Sequence, residues 1–319
     1  MANVLPPAAR RDPPAWELAD VPDSADPEAA RRFCRAVAAG HYENFTVATL
    51  LVPPRLRQHL ANVYAFARWA DDLADEAESP QQAADALADW RQQLQDCFAG
   101  RPRHPVFIAL AETIAATGLA IDPFADLIDA FCQDQHKTRY ATRTELLDYC
   151  RRSANPVGRI VLALEGCRRT DLQRMSDAIC TGLQLVNFWQ DITRDRLAGR
   201  IYLPEEDMAR HGVNEEVLAD TVASPAVQAL LADEVAWARE HFAVGEPLVA
   251  AAPRVLRPAI SMFLAGGRAV ADAIEQSGYD TLARRPTVGS LAKLRLAGRA
   301  AWGAWCTWAA TLTRFGGQA

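Results

Sequence analysis

After residue 27 the sequence is a succession of Ala-, Leu-, Arg- and Glu-rich stretches. They are interrupted only by short Pro- or Gly-containing breaks, near Pro53-Pro54, Ser79-Pro80, Gly100 to Pro105 and Ser224-Pro225. Those four residue types are among the better helix formers. Alternating β-branched runs closed by Asn-Gly or Asp-Gly turns are missing, so the pattern offers no hairpin from which a sheet could grow. Asp122-Pro123 and Ser224-Pro225 mark helix starts, with the acid or hydroxyl as cap and proline at the first helical position. The punctuation yields about ten helices, with no change of composition that divides them and no repeat of roughly 20–50 residues. The expected fold is all-α, a single helical domain over residues 28–319. Residues 1–27 form a leader in which Pro6, Pro7, Pro13, Pro14, Pro22 and Pro27 favour extended chain.

Composition removes several classes of function. Half of the 319 residues are hydrophobic and 23% are charged, which is ample for a core and too ordinary for a disordered chain. With 34 basic and 40 acidic residues the net charge is −6, so no nucleic-acid partner is expected. Cys34, Cys97, Cys132, Cys150, Cys167, Cys180 and Cys306 are odd in number and never stand as C-x-x-C. They read as small buried apolar residues of a reducing cytosol. No apolar run reaches the roughly 18–20 residues of a membrane span, and the stretch from Met1 to Trp16 lacks the apolar region of a signal peptide. A cytoplasmic protein is expected.

Two segments depart from the plain helical pattern in the same way. Between Val63 and Glu76, a period of 3.6 residues brings Tyr64, Arg68, Asp71 and Asp75 to one face, with Val63, Phe66, Ala70 and Leu73 on the others. Between Gly182 and Asp195 the same period aligns Gln184, Asn187, Asp191 and Asp195, while Leu185, Val186, Trp189 and Ile192 point elsewhere. Each helix thus presents two carboxylates at i and i+4. Like charges at that spacing cost a few tenths of a kcal/mol on a solvated helix. At about 4 Å and an effective dielectric near 20 the repulsion grows to about 4 kcal/mol, so a partly buried pair calls for a cation or a proton. An all-carboxylate set without histidine suits Mg2+, which binds through one or two carboxylates plus substrate phosphates. One such pair alone reads more simply as a solvated face; two, both bordered by polar residues and set in apolar stretches, outweigh that reading. Asp72 and Glu76 lie off the main face and are expected in solvent. None of His41, His59, His104, His136, His211 and His241 stands in an H-E-x-x-H pattern, and no G-x-G-x-x-G follows a strand.

With these motifs in view, the sequence resembles the squalene/phytoene synthase family from about His41 to about Leu296. The matches are Tyr64-Ala-Phe-Ala-Arg68 before Asp71-Asp-Leu-Ala-Asp75, and Leu183-Gln-Leu-Val-Asn187 running into Asp191-Ile-Thr-Arg-Asp195. Gly199-Arg-Ile-Tyr-Leu-Pro204 follows. The resemblance implies an isoprenoid-synthase helical bundle around a central cavity, in which the two aspartate helices grip a prenyl diphosphate through Mg2+. Within the family, His41-Tyr-Glu-Asn-Phe45, the stretch from Tyr149 to Gly158 and Asn187-Phe-Trp-Gln-Asp191 are similar to the bacterial branch called hydroxysqualene synthase, of the hopanoid pathway. That branch ionises presqualene diphosphate, rearranges the cyclopropylcarbinyl cation and lets water capture it, giving hydroxysqualene and diphosphate; NADPH is not expected. Gln190 stands where many head-to-head synthases carry Arg, and Asn44 where many carry Ser. A missing cation near the diphosphate fits a site that processes an already assembled thirty-carbon diphosphate.

The resemblance assigns Asp71, Asp75, Asp191 and Asp195 as Mg2+ ligands, with Asn187 as a further oxygen ligand. Arg68 and Arg200 can bind phosphate oxygens through forked N–H groups; for Arg68 the plainer alternative is an intrahelical pair with Asp72. Phe45, Phe188 and Tyr202 are candidates for the wall that shields the carbocation, core filling being the ordinary use of such aromatics, and Tyr140 is a weaker candidate. Asn44 and Gln184 join the substrate contacts. Gln190, Asn155 and Tyr149 are unranked candidates for orienting water. The basic, Trp-rich stretch from Lys293 to Trp308 can lie at a bilayer interface or pack on the domain, so a peripheral contact with the inner face of the membrane is open. Two other readings compete. One is a head-to-head prenyl transferase making presqualene diphosphate, squalene or phytoene; the other is a non-catalytic assembly factor, against which stands the presence of all four aspartates.

Overall fold

The computed structural model describes residues 26–40 and 51–288. The helices are α1 (Pro27–Gly40), α2 (Pro54–Asp75), α3 (Pro80–Phe98), α4 (Pro105–Thr117), α5 (Asp122–Asp134), α6 (Arg143–Ser153) and α7 (Asn155–Leu164). They continue with α8 (Thr170–Gln190), α9 (Ile192–Leu197), α10 (Glu205–Arg210), α11 (Pro225–Gly245), α12 (Leu248–Ala251) and α13 (Arg257–Gln276). Among the described residues ten helices have ten residues or more, and there is no strand. The leader up to residue 25, the Asn44 and Phe45 motif and the stretch from Lys293 to Trp308 lie outside the described residues. No helix among those described is long and apolar enough to cross a membrane. The six described cysteines are free.

Proline opens α1, α2, α3, α4 and α11, where its missing N–H is one that the first turn leaves unbonded anyway. Ser79 Oγ accepts from the Gln82 amide at 3.2 Å and Ser224 Oγ from the Val227 amide at 3.4 Å, capping α3 and α11. Asp122 corrects the expectation of a cap. The residue ahead of α5 is Ile121, and Asp122 is already in the first turn with no side-chain capping bond there. Its carboxylate acts only through the positive end of the helix.

A second correction concerns the acidic stretch from Gly182 to Asp195, which is two helices and not one. Asp191 leaves the helical region (φ −107°, ψ 15°) between α8 and α9. The bond ladder survives the bend, since the Asp191 amide donates to Asn187 O at 3.0 Å and the Asp195 amide to Asp191 O at 2.8 Å. The bend coincides with two contacts from a distant segment: the Gln190 side-chain amide donates to Pro286 O, and Arg285 grips Asp191.

Two groups of helices hold the acidic ones in place. Around α2, the rings of Phe66, Trp69, Trp90, Phe107 and Phe124 interlock. Phe66 meets Phe124 edge-on at 5.1 Å, and Trp90 tilts against Phe107 at 4.4 Å. Each such ring stabilises the fold by roughly 1.5–3 kcal/mol through burial, with about 0.5–1.5 kcal/mol more per aromatic pair. On the other side α8 runs against α7, α11 and α13. Gly182 of α8 and Gly267 of α13 face the Phe242 ring of α11. A Cβ at either would stand 2.7 or 2.5 Å from ring carbons, inside any tolerable contact. The missing side chains let three helices close around one phenyl ring, and so fix where α8 ends.

Candidate active site

On α2, Arg68 folds onto its own helix. Its Nε donates to Asp72 Oδ2 at 3.1 Å, Nη2 lies 2.6 Å from Asp72 Oδ1, and Nη1 reaches Asp71 Oδ2 at 3.3 Å. Asp72 is only 1% exposed, which overturns its expected place in solvent. The fork of Arg68 makes that burial tolerable, because a guanidinium can satisfy both oxygens of a carboxylate without water. The intrahelical alternative for Arg68 is therefore the geometry observed, and its remaining N–H touches the first aspartate of the motif. Glu76 is exposed, as expected.

The second motif is linked to the first through Arg200, whose charge acts on Asp195. Arg200, in the loop after α9, lies 3.7 Å from Asp75 Oδ1. Gly199, at φ +80°, makes the turn that aims this loop back across the opening. Arg285 Nη2 donates to Asp191 Oδ2 at 3.0 Å. Asn187 is exposed and Gln184 half-buried on the α8 face that carries Asp191. Burial first, then the Asp75 charge, push Asp71 upward despite Arg68. Burial and then Asp191 raise Asp195 to about 7.

Sequence reasoning missed Asp134, the last residue of α5. The Tyr149 hydroxyl donates to its Oδ2 at 2.8 Å, while its Oδ1 is buried with no hydrogen-bond partner. Burial raises it to about 6, against the pull of Tyr149 and Arg200, and the Asp75 charge adds to the rise. One signal was available: a carboxylate at a helix C-terminus opposes the dipole and wants another reason to be there.

Phe188 and Tyr202 stack at 3.8 Å with ring planes 10° apart. Tyr149 and Tyr140 extend the stack beside Tyr202 at 5.9 and 5.8 Å. An aromatic wall thus stands directly beside the carboxylates. The other two water candidates are committed elsewhere: Gln190 to Pro286 O, and Asn155 Oδ1 to the Thr181 hydroxyl at 3.0 Å in the buried contact of α7 with α8. The cleft lined by Phe188, Ile192, Asp195, Arg200, Ile201, Tyr202 and Leu203 has a volume of about 200 Å³.

Among the described residues no three carboxylate, imidazole or thiol groups converge on one point. What the site offers instead is two carboxylate pairs linked through Arg200, with Asp71 and Asp195 raised chiefly by burial, and one buried carboxylate oxygen without a partner. That set fits hard divalent cations shared between a few protein oxygens and a polyphosphate, the usual mode for Mg2+.

Residues 38–292 match the family described as squalene/phytoene synthase. Among curated relatives, the 15-cis-phytoene synthase of Synechocystis sp. is 31% identical, covering 92% of this chain and 96% of its own length. Among solved structures, squalene synthase HpnC from Alicyclobacillus acidocaldarius is 40% identical with a TM-score of 0.76, over 79% of this chain and 95% of that one. A dehydrosqualene synthase solved with a ligand is 26% identical with a TM-score of 0.78, over 86% of this chain and 98% of that one.

Proposed function

Because the chain belongs to the squalene/phytoene synthase family, whose members act on prenyl diphosphates, we propose that it ionises presqualene diphosphate and lets water capture the rearranged cation, giving hydroxysqualene and diphosphate. The observation that carries the ionisation is the opposition of the two acidic motifs, bridged by Arg200 reaching Asp75 and flanked by the stack of Phe188, Tyr202, Tyr149 and Tyr140. The finer choice of product is supported by the 40% identity to a solved squalene synthase and by the sequence likeness to the hydroxysqualene branch.

Asp71, Asp75, Asp191 and Asp195 would hold Mg2+, with Asn187 beside Asp191. Mg2+ held there would supply Lewis-acid neutralisation of the diphosphate charge. Arg200 and Arg285 supply guanidinium groups at the same opening, each able to turn from a carboxylate to a phosphate oxygen. Arg68 keeps Asp72 neutralised and steadies Asp71. The faces of Phe188 and Tyr202 shield the carbocation and lower its energy by about 0.5–2 kcal/mol per well-placed ring. Asp134, held near neutrality and bonded to the Tyr149 hydroxyl, can take the proton that the captured water gives up.

The test supplies the purified protein with presqualene diphosphate and Mg2+, with and without NADPH, and identifies the lipid products. Hydroxysqualene under both conditions is expected. Squalene formed only with NADPH overturns the branch assignment. A second reading, condensation of two shorter prenyl diphosphates, is favoured by the phytoene synthases at about 31% identity; product from farnesyl or geranylgeranyl diphosphate alone would establish it.

A further inference from the structure

Away from the acidic opening, the fold buries a second charged cluster that the chemistry above leaves unused. Asp207 on α10 and Glu234 on α11 are both 0% exposed. Arg143, the first residue of α6, reaches both. Its Nε donates to Asp207 Oδ2 at 2.7 Å, and its Nη2 lies 3.4 Å from Glu234 Oε1. Its guanidinium sits 4.5 Å over the Trp237 ring of α11. Arg210 closes the outer side of Asp207. Glu234 Oε2 is buried and has no hydrogen-bond partner. Burial, and then the Asp207 carboxyl beside it, raise Glu234 to about 9.

The same residues fasten the loop that serves the acidic opening. The Arg143 amide donates to Glu206 Oε1 at 2.7 Å. Ile201 N donates to Thr138 O at 2.9 Å, Glu205 N to Tyr140 O at 2.9 Å, and Glu206 N to Ala141 O at 3.1 Å. Residues 138–141 and 201–206 therefore run side by side, bringing Tyr140 against Tyr202, and Arg143 and Asp207 clamp the ends of both segments to α11. We propose that Arg143, Asp207 and Glu234 are positioning residues, a brace that holds Arg200 and Tyr202 in register with the acidic helices and that a second negative charge beside Asp207 would loosen. A second negative charge beside Asp207 would share one guanidinium in a dry site, an arrangement relieved most readily by movement of the short α10. The charges acting on Glu234 are Arg143 from α6 and Asp207 from α10. On the rim, His211 is bonded to Asp233. Asp272 and Glu275, which α13 offers to α11, are held by Arg239.

The kinetic side of this proposal rests on the functional reading above, and its test has two arms. In the first, kcat and KM for presqualene diphosphate are measured across pH for wild type and Glu234→Gln, with circular dichroism to confirm that both remain folded. Wild type is expected to lose about tenfold in kcat between about pH 8 and about pH 10 with KM little changed. Glu234→Gln, equal in size and always neutral, is expected to match wild type near neutrality and to keep its kcat across that range. An alkaline loss of the same size and midpoint in both proteins overturns the proposal. The second arm needs no turnover. The folded state keeps a proton that the unfolded chain releases above its ordinary carboxyl pKa, so wild-type melting temperature should fall relative to Glu234→Gln as pH rises toward 9. Parallel melting curves overturn the brace. Absence of wild-type turnover at every pH, with divergent melting curves, overturns the functional reading instead.

Discussion

Replacing Asp71 with Asn removes a charge at almost constant volume. Asp71 is pushed upward by burial, by Asp75 and by Asp134, so the native fold carries repulsion that the amide relieves. Asp71→Asn is expected to lower turnover at least a hundredfold, about 2.7 kcal/mol at the transition state, while the melting temperature holds or rises slightly. Turnover like wild type would remove Asp71 from the cation site. Tyr149→Phe should behave in the opposite manner. Asp134 already has one orphan oxygen, and loss of the tyrosine hydroxyl leaves the second unbonded too. Destabilisation of about 1–3 kcal/mol is expected, measured by urea unfolding, and Asp134→Asn in the same background should recover part of it. At this scale the sequence revealed the faces of the two motifs but not how side chains on them settle. A helical period puts Asp72 off the aspartate face; it cannot show that Arg68 lies back along the helix and takes Asp72 into the interior with it. Asp134 escaped because its partners, Tyr149, Arg200 and Asp75, come from three other elements, a convergence no local pattern encodes.

At the scale of helices, the stops and starts were legible because proline and serine act locally: Ser79 and Ser224 cap the helices they precede. Interior glycines are different, since Gly182 and Gly267 read in sequence only as weak points of a helix. In the fold they are the places where α8 and α13 close on the Phe242 ring. Gly182→Ala is expected to cost about 1–3 kcal/mol by overpacking, although alanine is the better helix former. Combining it with Phe242→Leu should restore part of the loss in a double-mutant cycle, because the smaller side chain vacates the space that the new methyl group needs. Additive losses would show that α8 and α13 do not meet through that ring. The bend at Asp191 was likewise invisible, because its contacts come from Arg285 and Pro286, nearly a hundred residues along the chain.

Over the whole molecule, acid acts on two sets of groups with opposite sign. His104, half-buried among Phe33, Trp69, Trp90 and Phe107, is lowered by desolvation to about 4. Its folded pKa lies below the unfolded one, so its contribution is complete above about 6.5 and is lost as pH falls toward 4, by roughly 3 kcal/mol in all. Asp134 at about 6 and Asp195 at about 7 are raised. Their folded forms hold protons that the unfolded chain has released, so their contribution is complete near pH 4 and is lost as pH rises through 6 to 7. A divalent cation works against that loss only where the carboxylates are ionised, since each ligand must give up its proton to bind. Mg2+ should therefore raise the melting temperature clearly at about pH 8 and hardly at about pH 5.5, and the rise should shrink in Asp71→Asn. Calorimetric scans without substrate read this directly. An equal rise at both pH values, or one unchanged in Asp71→Asn, would mean that the cation binds elsewhere, leaving Arg68, Arg200 and Arg285 as the charges that offset the opposed aspartates.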